Sequence, residues 1–244
     1  LFLFNKEQFP IFVRSDRKDI LNDEKVMSYG TKMFLNSIIA FISGQALSFI
    51  ISIKLSSIDV GAYNILLTLT GLTTFLLINI NTVIAPAITK LYDDRNIDEL
   101  NELYKRTTFL VNIVTIPLAV LIVLFSDEIL GLYTAEMISY KPYLFVMMMA
   151  SLISLATGTS GTFMIMAGLE RQDVNTQLIR AFLLIIFSLW LIPLMGLKIV
   201  VILYVLSMLF LKSAQLFYIK KHINISPFSR ELLVLFFLTF IVMY

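Results

Sequence analysis

Lys212 is the side chain best placed to do chemistry, because it is an ammonium inside a long apolar run. Such a group either snorkels its head to the interface along its flexible stem or faces inward and holds an anion. Tyr204, Met208 and Gln215 share its helical face, so the cation has polar company. At 1.5 Å per residue it sits about 8–12 Å below the end of its helix. A second set lies upstream. Asn64, Thr68, Gly71, Phe75, Asn79, Thr82 and Pro86 fall within one arc of roughly 80° at 100° per residue. Most of the other faces of that stretch carry Leu, Ile and Val. In water this pattern is inside out, whereas in a bilayer it turns a polar edge toward a cavity or partner helices. Arg180 is read first as an interfacial anchor near its helix end and second as part of the same path. Asn81, Gln45 and Asn112 can line a hydrated route or bond between helices.

Other chemistries lack their residues. There is no cysteine and a single histidine, His222, so thiolate sites and histidine clusters are excluded. Met147, Met148 and Met149, with Met164 and Met166, read as packing filler and not as a metal site. No hydrolase triad, carboxylate pair or phosphate-cradling glycine loop is present. No catalytic residue, metal or cofactor is therefore expected, and we expect a protein that is not an enzyme. The 17 Asp and Glu all read as loop or helix-edge residues. A cation- or proton-coupled antiporter ordinarily needs an intramembrane carboxylate. With none expected, the few membrane-facing charges are positive and suit an anionic cargo.

The elements that carry these residues are apolar helices. Of 244 residues, 58% are hydrophobic and 15% charged, with a mean hydropathy of +0.87. The excess comes in blocks long enough to cross a hydrocarbon core of about 30 Å. The expected fold is all-α and integral to the membrane, with six complete transmembrane helices and a truncated seventh. The spans fall near 32–53, 61–92, 107–125, 142–168, 178–195 and 197–219, with the last begun at 232. Ser37, Gly44, Ser48 and Ser52 give the first a small-residue face. Asn96 and Glu99 form a capping signature whose helix feeds the third span, which Pro117 should kink. The fifth and sixth spans form a hairpin at Gly196. Residues 1–31 read as the end of a preceding span and an amphipathic surface linker, 32–219 as a six-helix lobe, and 220–244 as a loop and a new span. The apolar opening Leu1-Phe2-Leu3-Phe4 and the unfinished last span suggest a piece of a longer, transporter-sized protein.

With these spans, fifteen Lys and Arg collect on one side, at Lys6 to Lys32, Lys90 to Arg106, Arg171 with Arg180, and Lys220 to Arg230. Three fall on the other, Lys54, Lys141 and Lys198. The positive-inside bias assigns 5–31, 91–106, 169–177 and 220–231 to the cytoplasm and places the chain in the cell membrane. The basic loops suit anionic lipid heads and not nucleic acid.

Two motifs resemble a known family. Val83-Ile84-Ala85-Pro86-Ala87-Ile88-Thr89-Lys90-Leu91-Tyr92, with Glu99-Leu100 and Leu103-Tyr104 after an acidic loop, resembles the middle of polysaccharide-biosynthesis and O-antigen flippases. These belong to the multidrug/oligosaccharidyl-lipid/polysaccharide exporter superfamily. Thr157-Gly158-Thr159-Ser160-Gly161-Thr162, running into Met164 to Glu170, resembles that family's small-residue span; Leu169-Glu170-Arg171 stands where a basic residue usually follows the glycine. The resemblance implies the second lobe of a MATE-like flippase fold, with two six-helix lobes around a central cavity. It implies outward movement of a polyprenyl-pyrophosphate-linked oligosaccharide by alternating access. The substrate path would then run along Lys212, Gln215, Tyr204, Asn64, Thr68, Asn79, Thr82 and Arg180. Pro86, Gly71, Gly158, Gly161 and Pro117 would shape and pack the helices. Partners would be the lipid-linked glycan, anionic lipids and polysaccharide-assembly proteins. A multidrug cation antiporter and a membrane-embedded glycan polymerase are the rival readings.

Overall fold

A computed structural model describes residues 24–243, and every described element is helical. In chain order these are α1 (Glu24–Lys54), α2 (Ser57–Asp93), α3 (Ile97–Leu124) and the short α4 (Ser126–Gly131). A 3₁₀ turn (Ala135–Tyr140) leads to α5 (Lys141–Ala156), α6 (Ser160–Met166), α7 (Glu170–Met195), α8 (Leu197–His222) and α9 (Arg230–Met243). The chain divides into two compact units, Leu1–Phe41 and Ile42–Tyr244. The first contributes only the opening part of α1 to the described residues; the second holds the helical bundle.

Among the described residues, five helical stretches are long and apolar enough to cross a membrane: Ser57–Asp93, Ile97–Leu124, Ala135–Met166, Glu170–Met195 and Leu197–His222. The sequence pattern predicts six complete spans. The predicted first span lies inside α1, and the predicted seventh lies inside α9, which is 14 residues long as described. Neither is among the five. The surface helix predicted around 19–29 falls partly outside the described residues, and from Glu24 it is continuous with α1.

Predicted loops give way to helix at several places. The capping signature forms as expected: Asn96 accepts from the Glu99 backbone N–H at 3.3 Å, and its amide donates to the Glu99 carboxylate at 2.7 Å. The helix it starts then runs without interruption through Thr107 and Pro117 to Leu124. Most of 91–106 is therefore helix, not loop. So is 170–177, because α7 begins at Glu170. At the opposite end two small polar pairings form. Lys141 meets Asp127 at 2.6 Å, and Asp59 takes hydrogen bonds from Ser56 and Tyr140.

The predicted span at 142–168 is broken. α5 ends at Ala156 and α6 starts at Ser160, with Gly158 between them at φ +59°. Only glycine visits that region without a penalty from Cβ. The turn also brings the backbone against α3, where a Cβ on Gly158 would sit 2.0 Å from Thr108 Oγ1. Two requirements therefore fix one residue. The second positive-φ glycine that shapes the bundle is Gly196 (φ +59°), which closes the α7–α8 hairpin.

Apolar side chains form two cores, one on each side of this break. The larger includes Leu66, Val111, Ile116, Met147, Met148, Leu155, Leu184 and Val200. The smaller gathers Ile84, Ile88, Leu100, Tyr104, Phe163, Met164 and Ile219, with the Tyr104 and Phe163 rings 4.2 Å apart. Met147, Met148 and Met164 are fully buried in these cores.

Gly158→Ala should destabilise the detergent-solubilised protein by about 2–5 kcal/mol, from left-handed strain plus overlap with Thr108. Gly71→Ala, where a Cβ meets nothing within 4 Å, should leave the melting temperature nearly unchanged. Thermal unfolding of the two variants side by side checks this.

Candidate functional site

The site begins with the carbonyls that the break sets free. A helix ending inside a protein leaves C=O groups without partners, and no water is at hand in hydrocarbon. The Gly158 N–H donates to the Leu155 carbonyl at 2.8 Å, and α3 supplies further donors. Tyr104 OH donates to the Thr157 carbonyl at 2.8 Å, and Asn112 Nδ2 donates to the Leu155 carbonyl at 2.9 Å. Tyr104, Thr108 and Asn112 stand four residues apart on one helical face, fully buried. Asn112 thus serves the break and does not line an open route.

A chain of hydrogen bonds starts from the first residue of α6. Lys212 Nζ donates to Ser160 Oγ at 3.2 Å, and Ser160 donates to Gln215 Oε1 at 2.8 Å. Gln215 Nε2 donates to Asp173 Oδ1 at 2.8 Å, while Gln177 Nε2 holds Oδ2 at 2.7 Å. Every donor along the path from Lys212 points the same way, from the ammonium to the carboxylate. The cation and anion are thereby joined through a hydroxyl and an amide, not by a direct ion pair. Gly161 lets the amide in, since a Cβ there would lie 3.2 Å from Gln215 Nε2.

Asp173 corrects the expectation that no acidic group faces the interior. It is 1% exposed, in the first turn of α7, where the positive end of the helix favours a carboxylate. Its charge acts on both Lys212 and Arg180. The spacing Asp173, Gln177, Arg180 follows one helix face, a pattern available in the sequence once α7 is started at Glu170 and not at 178.

That earlier start also moves Arg180 inward. It is ten residues past Glu170, about 15 Å along the rod, and half-buried. Lys212 is ten residues before His222, so both cations lie about 15 Å from the same end of the hairpin. The Arg180 Nε is buried without a protein partner. Arg180 lines a cleft of about 230 Å³ between α1, α2, α7 and α8, where Tyr63, Thr70, Thr74 and Tyr204 stand among Leu47, Leu67, Leu184 and Met208. Tyr204 there faces Thr70 and Arg180.

Other residues expected on the path go elsewhere. Asn64, Thr68, Asn79 and Thr82 are exposed, as are Phe75 and Pro86 of the same arc, while Leu66, Thr70, Thr73 and Leu77 turn inward. Thr68, Asn79 and Thr82 hydrogen-bond their own helix backbone at 2.7–2.8 Å. The arc does not join Lys212 and Gln215 within this bundle. It adjoins the cleft along one edge, with Gly71 common to both. Pro86 and Pro117 lie inside continuous helices.

A family model described as polysaccharide biosynthesis protein matches residues 17–142. That is more than half of the 244 residues. The chain belongs to this family. No curated protein and no solved structure matches it. The motif from Val83 to Tyr104 lies within the matched residues, whereas Ser160, Asp173, Arg180, Lys212 and Gln215 lie beyond them. With its five apolar helices, this member of the polysaccharide-biosynthesis family is a multi-pass membrane protein.

A double-mutant cycle on Asp173→Asn and Lys212→Met tests the chain of hydrogen bonds. Each single change should lower the melting temperature. The double variant should recover part of the loss, with a coupling of about 0.5–3 kcal/mol. Additive losses would mean that the two charges do not sense each other.

Proposed function

We propose that the chain is one lobe of a flippase that carries a polyprenyl-pyrophosphate-linked oligosaccharide from the inner to the outer leaflet. In this reading the protein is a transporter and not an enzyme. It has six complete spans and a seventh begun, with its basic loops in the cytoplasm. The observation that carries the proposal is the pair of cations, Arg180 and Lys212, held about 15 Å inside the α7–α8 hairpin. Arginine left partly unpaired at the wall of a cleft is suited to a planar, bidentate hold on phosphate oxygens.

The sugar-pyrophosphate head would enter the cleft beside Arg180, Thr70 and Tyr204, and the exposed arc from Asn64 to Pro86 would extend the polar surface toward a second lobe. Alternating access of the two lobes then moves the head across while its lipid stays in the bilayer. A head with two negative charges gains about 4.6 kcal/mol per 100 mV when it moves outward from an inside-negative cell. Anionic membrane lipids around the basic loops and proteins of glycan assembly are the expected partners.

Asp173 favours a second reading, a multidrug cation antiporter, because a buried carboxylate can bind a cation or a proton. The lysine–serine–glutamine chain argues for the first. Together with Gln177 it engages both carboxylate oxygens and does not leave them to an incoming cation.

Deletion of the gene should strand the lipid-linked glycan on the inner leaflet. Arg180→Gln and Lys212→Gln should reach the membrane in normal amounts yet restore delivery poorly, each at least about tenfold below wild type. Leaflet-specific labelling of the glycan checks both. Full delivery by both variants would defeat the flippase assignment, and a selective loss of resistance to cationic compounds would support the antiporter.

A further inference from the structure

Where α9 packs against α3, two cavities meet that the transport reading does not use. The first is a cleft of about 460 Å³ with Lys105, Arg106 and Arg230 on its walls and Phe109 and Phe228 beside them. The second, of about 410 Å³, continues from it along Phe109, Val234 and Leu235. Phe109, Arg230 and Glu231 belong to both. Fixed backbone builds the walls. The loop before α9 is pinned to α3 by the Ser226 N–H, which donates to Asn101 Oδ1 at 3.0 Å, while Ile225 is buried in the smaller core. Ser229 then accepts from the Leu232 N–H at 3.2 Å and caps α9. The two helices carry one pattern in step. Phe109 follows Lys105 by four residues and Val234 follows Arg230 by four, one turn or about 6 Å along each rod. Beyond the cations, neither 107–126 nor 232–244 holds a charged residue. Charged cleft and apolar groove therefore meet where both helices lose their charges.

We propose that this cleft binds one anionic phospholipid, with its phosphate among Lys105, Arg106 and Arg230 and an acyl chain laid along Phe109 and Val234. Such a site gives the anionic lipids expected above one defined place. It stands apart from the flippase reading, because none of its residues lines the Arg180 cleft. Availability of charge selects the occupant. Two carboxylates share the cleft, Glu102 and Glu231, and both are engaged. Glu102 holds Arg106 at 2.7 Å. Glu231 takes its own backbone N–H and the Ser229 hydroxyl, which hold its carboxyl below the usual range, with Arg230 and Lys105 adding to the effect. Those two cations act on Glu231 from a distance, and among the described residues neither closes an ion pair. The groups open to a ligand are thus the Lys105 ammonium and the Arg230 guanidinium. With three cations facing two carboxylates, a net monoanion balances the excess. The ammonium of a zwitterionic head finds no unengaged carboxylate. Free phosphate would answer the cations and leave the groove unfilled, whereas a phosphate joined to an acyl chain matches both cavities at once.

Two measurements test this on the full chain. Purified protein in detergent is titrated with phosphatidylglycerol, phosphatidylethanolamine, phosphatidylcholine or the chainless head glycerophosphoglycerol, and binding is read by native mass spectrometry. We expect phosphatidylglycerol to bind at least about tenfold more tightly than each of the others. Lys105→Gln with Arg230→Gln should erase that preference, since one charge-assisted contact is worth about tenfold or more. Lys220→Gln with Lys221→Gln removes the same charge from the end of α8 and should leave the preference intact. In the second measurement a benzophenone amino acid replaces Val234, 57% exposed, or as a control Leu121, 51% exposed and outside the groove. Position 234 should capture phosphatidylglycerol in preference to 121. Both cations are kept here, so this result counts even where the double variant folds poorly. Equal binding of the zwitterionic lipids or of the chainless head, an equal loss in the α8 variant, or equal capture at 234 and 121 overturns the site. None of these results alters what Arg180→Gln does to glycan delivery, so the lipid site and the flippase reading fail separately.

Discussion

Carbonyls released inside an apolar bundle must find donors, and that requirement organises this protein. The α5–α6 break puts the Thr157 carbonyl where water cannot serve it, and leaves the Leu155 carbonyl with the Gly158 N–H and room for a second donor. Tyr104 and Asn112 answer from α3, and Gly158 permits the close approach that lets them do so. An unbroken helix would need none of this. The break is kept at a cost of about 1–2 kcal/mol per strained residue for anything but glycine. What it gains is an interior serine. Ser160 sits at the start of α6, where its hydroxyl reaches both Lys212 and Gln215.

Polar residues then form a belt at the level of the break on each packed helix. On α3 it is Thr107, Thr108 and Asn112; on α5–α6, Thr157 to Ser160; on α7, Asp173 to Arg180; on α8, Lys212 and Gln215. Apolar cores close it from both sides. Burying charges is expensive unless they are paired and hydrogen-bonded. The oriented path from lysine through serine and glutamine to aspartate meets that condition without placing the charges in contact. Arg180 is the member of the belt's cations left with an unpartnered buried nitrogen, and it is also the one that faces open volume. The hydrogen-bonded path and the open volume thus fall to different cations.

Much of the architecture is legible in the sequence because apolar blocks of membrane-spanning length leave few alternatives. The α3 cap, the α7–α8 hairpin and the polar arc of α2 all follow from residue type and spacing. The position of the break does not. Thr157 to Thr162 reads as a small-residue span, and only contact with Thr108, Tyr104 and Asn112 on another helix turns that stretch into two helices. Asp173 escapes a reading that starts α7 at 178, because such a start leaves the carboxylate in a supposed loop. Hydropathy marks where a helix becomes oily, not where its hydrogen bonding begins, and the two differ here by the stretch from Glu170 to Leu178. The same shift makes Arg180 read as an interfacial anchor.

The exposed arc of α2 shows where sequence pattern and packing answer different questions. Its polar residues do face away from the apolar core, as the pattern requires, yet they do not meet Lys212. A helix of 37 residues rises about 55 Å, well beyond a hydrocarbon core of about 30 Å. Its inward stripe, from Tyr63 through Leu66 and Thr73 to Ile88, is committed to this bundle. An outward stripe of asparagine and threonine in hydrocarbon is stable only against other polar surface or hydrated volume. Hydrogen bonds back to the helix soften that demand for Thr68, Asn79 and Thr82. They do not remove it, since Asn64 is also exposed and each amide keeps further donors and acceptors. Gly71 lies on both the arc and the cleft beside Arg180, so the two adjoin there. In the flippase proposed above, that edge is where a charged head would approach the cation sideways instead of through the packed core.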